Sequence, residues 1–354
     1  MVRPILIDGR RAQGRPAGVG QYTRSIASAW PDASDATVLI SDRLPAADYG
    51  ELPYRALRGG PVWNFRAAWL ARRLNAFYFS PESYLTSFLL GRRAVITVHD
   101  LTSLELTKLQ TRANVVFARL LLGATLRRVR AIIVPTTAVR ENVIRRFPHV
   151  AQKITVVPEG VRDFGPGAVE AEEAIRGLDP YLLYLGTVEP RKNVLTLIEA
   201  FVASAPTDWN LVLVGQLGWL SASDAERFHA LCENPRVHHL GYVPDSWLGT
   251  VLPRAAGFAY VSEAEGFGLP VAEAMAAGVP VIHTDDPALI EVAGGAGLVV
   301  HRSNLTAELQ AAIRELCGWD SATRARHGAA GRAAASRFDW NTAAAETHRI
   351  VTRD

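Results

Sequence analysis

At 354 residues, with 49% hydrophobic and 21% charged residues, the chain has the make-up of a globular protein of two domains, each able to bury its own core. Its two cysteines, Cys232 and Cys317, are far apart and in no metal-ligand spacing, which excludes a disulfide framework and points to a reducing compartment. The formal charge of +3 hides an asymmetry: residues 1–165 carry 24 Lys+Arg against 12 Asp+Glu, and residues 166–354 carry 14 against 23.

Short β-rich runs alternate with helical stretches from the start, the pattern of α/β domains with parallel sheets. The opening Met1–Asp8 is too short an apolar run for a signal peptide. In the first half the predicted strands are Pro4–Asp8, Thr37–Ser41, Ala76–Phe79, Ala94–His99, Ala131–Pro135 and Ile154–Val157. Predicted helices between them are Val19–Trp30, Phe65–Leu74, Ala113–Arg128 and Ala138–Phe147. The segment Phe117–Leu126, interrupted by Arg119, reads as a buried helix, and no run reaches the roughly eighteen apolar residues that span a bilayer. A glycine-rich loop, Gly14-Arg15-Pro16-Ala17-Gly18-Val19-Gly20, follows the first strand, but it is not the dinucleotide-binding fingerprint. His99-Asp100 closes the fourth strand; Asp100 is a candidate to orient the imidazole, although neighbouring side chains on a strand point apart.

The pattern breaks between Pro158-Glu159-Gly160 and Asp179-Pro180, where Gly165-Pro166-Gly167 has the composition of a linker. A second series follows: Tyr181–Leu185, Asn210–Val214, Val237–Leu240, Gly257–Val261, Val279–His283 and Gly297–Val300, with a final helix over Ser336–Arg353. In open α/β sheets ligands bind at the carboxyl ends of strands. Arg191 and Lys192 follow the strand ending at Leu185 and precede a helix. Two cations at the positive end of a helix are unfavourable without an anion, and a diphosphate would satisfy both. The structural alternative is a solvated helix terminus. Gly215 follows the next strand, where its backbone can approach a nucleotide, and Trp219 nearby reads as packing. Asp245, after Gly241-Tyr242-Val243-Pro244, reads as the N-cap of a helix through Leu252.

Most informative is Glu265-Gly266-Phe267-Gly268-Leu269-Pro270-Val271-Ala272-Glu273, running on through Gly278 to Ile282. The two glycines allow close backbone approach, Pro270 suits a first helical turn, and Gly278 suits a helix end. The N–H groups at 267–269 would face a phosphate at the helix N-terminus. Glu265 and Glu273 bracket that site, and carboxylates beside a phosphate make sense as acceptors from sugar and ribose hydroxyls.

The pattern E-G-F-G-L-P-x-x-E-A-M-A-x-G-x-P-V-I resembles the signature of the retaining family-4 glycosyltransferases with the GT-B fold. The resemblance implies two Rossmann-like domains facing across a cleft. Residues 1–165 would form the acceptor domain, rejoined by a C-terminal helix at about 340–354, and 166–339 the nucleotide-sugar donor domain. It implies donor diphosphate and sugar contacts from Gly18, Gly20, Arg191, Lys192, Gly266, Phe267, Gly268 and Leu269. Glu273, Val243 and Gly215 would meet ribose and base, and His99 and Glu265 the reacting sugar. The chain departs from the family at Thr187, where many members carry Arg, so Arg191 is the candidate to take that role. The variant G-T-x-E-P-R-K-N resembles mannosyltransferases of polysaccharide assembly, which makes GDP-mannose the first donor.

Neither metal nor cofactor is expected, since the nucleotide sugar is a substrate. The acceptor would be a glycan, a lipid-linked glycan or a natural product. The alternatives are a UDP- or dTDP-sugar donor, a phosphorylase or epimerase of the same fold, and a non-catalytic sugar-nucleotide sensor. No nucleic-acid motif accompanies the basic half, so nucleic acid is not an expected partner. An anionic membrane surface is, with Arg66, Arg72, Arg73, Arg92, Arg93, Arg127, Arg128 and Arg130 as candidate contacts; the alternative is that these arginines decorate solvated faces. The expected location is cytoplasmic, peripheral on the inner face of the membrane.

Overall fold

The structure, a computed structural model, describes residues 3–14, 16, 18–60, 62–101 and 112–353, with the backbone alone for 112–119. Met1, Val2, Arg15, Ala17 and the side chains of Phe117 and Arg119, which figure in the sequence expectations, lie outside the described residues. The chain divides into two compact units, residues 1–160 with 338–354, and 161–337.

The first unit is built on a seven-stranded sheet of order β3-β2-β1-β4-β5-β6-β7. Its strands are β1 (Ile5–Asp8), β2 (Ala36–Ser41), β3 (Tyr54–Leu57), β4 (Phe77–Ser80), β5 (Ala94–Thr97), β6 (Ala131–Val134) and β7 (Ile154–Val156). Each pairing is parallel. Parallel strands are covered on both faces, and β1, β4 and β5 are buried at every residue, apolar but for Asp8, Ser80 and Thr97 at their carboxyl ends. Helices α1 (Val19–Ser28), α2 (Trp63–Arg73) and α3 (Tyr84–Leu90) connect the early strands. Trp63, Ala67, Leu70 and Ala71 of α2 pack in one core cluster with Leu6, Ile96, Ile132 and Val134 of the sheet.

The second unit has a six-stranded parallel sheet of order β10-β9-β8-β11-β12-β13. The strands are β8 (Tyr181–Leu185), β9 (Asn210–Val214), β10 (Val237–Gly241), β11 (Gly257–Tyr260), β12 (Val281–Thr284) and β13 (Leu298–Val300). Renumbered within the unit this is 3-2-1-4-5-6, the Rossmann order, and its switch point lies between β8 and β11. Side-chain caps start several helices: Ser221 accepts from the Asp224 amide at 3.0 Å and Asp320 from the Thr323 amide at 2.7 Å.

Four expectations need correction. The exposed edge strand β3 and the helix α3 were not foreseen; Y-R-A-L carries no alternating apolar pattern because only β2 pairs with it. The last helix begins at Trp340 rather than Ser336, since Ser336 ends the preceding helix and Asp339 caps the new one by accepting from the Thr342 amide at 2.7 Å. The helix Arg112–Arg128 is not uniformly buried: Leu122 and Leu126 are inside but Leu120 is exposed. Gly165-Pro166-Gly167 lies within the second unit, where the Thr250 hydroxyl accepts from the Ala168 amide at 3.1 Å.

Candidate active site

At the switch point of the second unit, the segment after β8 and the segment after β11 are stitched together. The Glu263 amide donates to the Arg191 carbonyl at 2.8 Å, and the Asn193 side-chain amide donates to the Val261 carbonyl at 3.0 Å. A short turn of 3-10 helix, Pro190–Lys192, then carries two cations side by side. Both converge on one oxygen. Arg191 Nη1 donates to Glu265 Oε1 at 3.0 Å, and Lys192 Nζ contacts the same Oε1 and the Tyr260 hydroxyl. Arg191 Nε also pairs with Glu189 at 2.8 Å, so two cations and two carboxylates balance here.

Lys192 is buried, and burial lowers its pKa, aided by the like charge of Arg191 and opposed by Glu265. Burial alone would raise the pKa of Glu265; the charges of Lys192 and Arg191 outweigh it and hold the carboxyl below its ordinary range. The Tyr184 ring stacks on Tyr260 at 6.1 Å and floors the cluster.

Glu265 leads directly into the glycine loop. Gly266, Phe267 and Gly268 are buried, and Gly268 adopts φ +90° as the cap of the helix Leu269–Ala276, with a Cβ excluded by Leu289 at 2.4 Å. Pro270 in the first turn carries no N–H and the Val271 amide donates to the Gly268 carbonyl at 2.9 Å; the helix points the positive end of its dipole at the glycine loop.

Glu273 sits one turn into that helix and is fully buried. Arg162 donates to both its oxygens and, at 3.1 Å, to Asp245. Asp245 is therefore not the expected cap: Pro244 holds the cap position and Asp245 is the first helical residue, its carboxylate turned to Arg162. Through Arg162 the structure links Glu273 with the turn holding buried Val243. Gly215 packs backbone to backbone, where an added Cβ would lie 2.0 Å from the Gly186 carbonyl oxygen.

In the first unit His99 follows β5, and its Nδ1 lies 3.1 Å from Glu159 Oε1. The imidazole partner is thus Glu159, not the neighbouring Asp100; both His99 and Asp100 lie beyond the strand, which ends at Thr97. The Tyr22 ring meets the imidazole edge-on at 4.5 Å, and Nε2 is buried without a hydrogen-bond partner among the described residues. Gly18 caps α1 and Gly20 lies in its first turn. Sequence reasoning missed Arg162, Glu159, Glu189 and Tyr260. Only Glu189 had a local signal, two residues before Arg191.

Two family models match: "Glycosyltransferase Family 4" over residues 16–163 and "Glycosyl transferases group 1" over 179–318. The O-antigen chain mannosyltransferase B of Escherichia coli is 30% identical over 295 residues, spanning 80% of this chain and 76% of that protein. The chain is a family-4 glycosyltransferase. The Salmonella typhimurium O-antigen chain mannosyltransferase RfbU is 25% identical to the transferase, covering 80% of this chain and 83% of its own. Among solved structures, a Thermosynechococcus elongatus sucrose-phosphate synthase superposes with a TM-score of 0.80 at 19% identity, over 98% of both chains. Anabaena HepE, in complex with UDP and glucose, superposes with a TM-score of 0.78 at 19% identity, over 99% of both. The transferase therefore has the GT-B fold, its two parallel-sheet units both Rossmann-like.

Proposed function

We propose that the transferase moves mannose from GDP-mannose to a glycan or lipid-linked glycan with retention at the anomeric carbon. The observation that carries the reading is the convergence of Arg191 and Lys192 on Glu265 beside the helix starting at Leu269. Two cations and a helix N-terminus suit a diphosphate, and the carboxylate they hold suits the hydroxyls of the attached sugar. The mannosyltransferase names of the E. coli and Salmonella relatives support the sugar, and through it the GDP donor.

In this reading Arg191, Lys192 and the amides at 267–269 stabilise charge that builds on the leaving diphosphate. The C1–O bond to the diphosphate breaks, the acceptor oxygen bonds C1 on the same face, and its proton passes to the departing phosphate oxygen. Glu265 holds sugar hydroxyls, and His99 contacts the sugar. Gly18 and Gly20 lie against the diphosphate, while Val243, Gly215 and Glu273 meet base and ribose. Arg162 fixes the Glu273 carboxylate through both of its oxygens. No metal or cofactor takes part.

Calorimetric titration with GDP, UDP, ADP and dTDP and their sugar conjugates tests the donor. GDP and GDP-mannose should bind best; preference for a UDP- or dTDP-sugar would replace the donor but keep the reaction class. NMR of the product anomer tests retention, and an inverted anomer would overturn it.

A further inference from the structure

We propose that Tyr260 is a positioning residue: its hydroxyl ties Lys192 and Glu265 to each other and to the sheet of the second unit, without touching substrate. The proposal rests on the reading of that pair as the diphosphate and sugar contacts. Tyr260 is the last residue of β11 and only 2% exposed. Its ring stacks on Tyr184 at 6.1 Å and on Phe258 at 6.2 Å, and its backbone is in register with His283 of β12. Lys192 and Glu265 lie outside the sheet: one ends the short 3-10 turn after β8, the other lies in the loop after β11.

The hydroxyl acts in both directions. It donates to Glu265 Oε1 at 3.1 Å and accepts from the Lys192 ammonium. Burial first, and then the charge of Glu265, push its pKa well above the ordinary 10, so it keeps the proton it donates. The neighbouring Tyr184 hydroxyl donates instead to the Thr187 carbonyl at 3.1 Å. A phenylalanine at 260 would fill the stack equally well, so packing does not require the oxygen, and a buried hydroxyl is costly unless it is bonded.

In a nucleotide sugar the diphosphate and the sugar are directly bonded, so the protein groups that hold them must keep a matching separation. Oε1 of Glu265 accepts from Arg191, Lys192 and Tyr260 together. When a diphosphate draws the two cations towards its own oxygens, the hydroxyl is the donor that stays on Glu265, because the stacked ring cannot follow. Tyr260 therefore bears on turnover more than on nucleotide affinity. It also gives the buried ammonium an acceptor beside the charged groups around it, Glu265, Glu189 and Arg191. Without that acceptor, the burial that already lowers the Lys192 pKa is less opposed, and the lysine loses its proton at lower pH.

Tyr260→Phe, which keeps the ring and both stacks, is compared with the parent chain, with Lys192→Met and with a control, Tyr181→Phe. The control also removes a buried hydroxyl, at the start of β8, where it donates to the Val251 carbonyl at 2.6 Å. The readouts are calorimetry with GDP and guanosine from neutral to alkaline pH, thermal melting, and release of GDP from GDP-mannose with water as the acceptor. In Tyr260→Phe the saturated release rate should fall about tenfold while GDP affinity at neutral pH stays within about threefold. The alkaline decline of GDP affinity should begin at lower pH than in the parent. Tyr181→Phe should melt lower but keep the parent's rate and alkaline decline. A Tyr260→Phe chain with the parent's rate and decline, or one whose losses Tyr181→Phe reproduces, overturns the proposal and leaves the diphosphate reading standing. If Lys192→Met binds GDP as tightly as the parent, the diphosphate reading itself fails and the role of Tyr260 falls with it. If the parent does not bind GDP, the donor assignment fails, and UDP with UDP-glucose decides the role of Tyr260 in the same comparison.

Discussion

Arg162 grips Glu273 with two arms: Nε donates to Oε1 at 2.6 Å and Nη2 to Oε2 at 3.1 Å. Burial disfavours the guanidinium charge, but Glu273 and Asp245 outweigh it and raise its pKa. Arg162→Gln should therefore leave a buried carboxylate without its counter-charge and cost about 3–5 kcal/mol of stability. Arg162→Lys should fall between, because an ammonium cannot reproduce the two-pronged geometry. Urea unfolding of both variants checks the order; a Gln variant as stable as the parent would remove the pairing argument.

Lys192 and Glu265 should respond in opposite ways to diphosphate. Lys192→Met should weaken nucleoside-diphosphate binding much more than nucleoside binding, by about 1.5–3 kcal/mol for a lost charged hydrogen bond. Glu265→Gln takes the shared carboxylate charge away from Lys192 and Arg191, with Arg191 keeping Glu189, so affinity for the bare diphosphate should hold or rise while turnover falls by about a hundredfold or more. Calorimetry and turnover on the single and double variants give the coupling. Equal losses for nucleoside and diphosphate in Lys192→Met would assign the lysine to the fold alone.

His99→Ala should depress transfer without abolishing donor binding. Glu159→Gln should give a milder loss of the same kind, since it touches the reaction only by orienting the imidazole. Steady-state kinetics would show the defect in kcat rather than in nucleotide affinity. Full activity in His99→Ala would make the histidine structural.

Acid should weaken the second unit through His283. This residue is buried at the end of β12, and burial lowers its pKa from the ordinary 6.5, partly offset by a contact of Nδ1 with the Thr284 carbonyl at 2.9 Å. The unfolded chain then binds the proton first. Stability is full above about pH 6.5 and falls as the pH drops from there towards the folded-state value. His238 is shifted the same way and adds to the slope. Urea midpoints between neutral and mildly acidic pH should fall, and His283→Asn should flatten the fall.

The strands were legible because parallel sheets need continuous apolar runs, and Y-L-L-Y-L or A-V-I-T can hardly be anything else. The edge strand β3 has no such run and escaped notice. In the site, Arg191, Lys192, Glu265 and the glycine loop could be read because the chemistry sits in contiguous segments next to strand ends. Arg162 could not: its partner lies 111 residues away, and nothing local marks it as more than a residue after a turn. Glu159 was hidden likewise, 60 residues from His99, while Asp100 beside the histidine drew the eye.

The final helix, Trp340–Thr352, belongs to the unit that begins the chain. His348 pairs with Asp35 at 2.6 Å, Arg130 donates to the Arg353 carbonyl at 2.8 Å, and Gly160 leaves no room for a Cβ beside Trp340. The second unit is one uninterrupted stretch and can complete its core as it leaves the ribosome. The first unit, although synthesised earlier, waits for its last helix until the other has been made, so the half translated first is the half finished last.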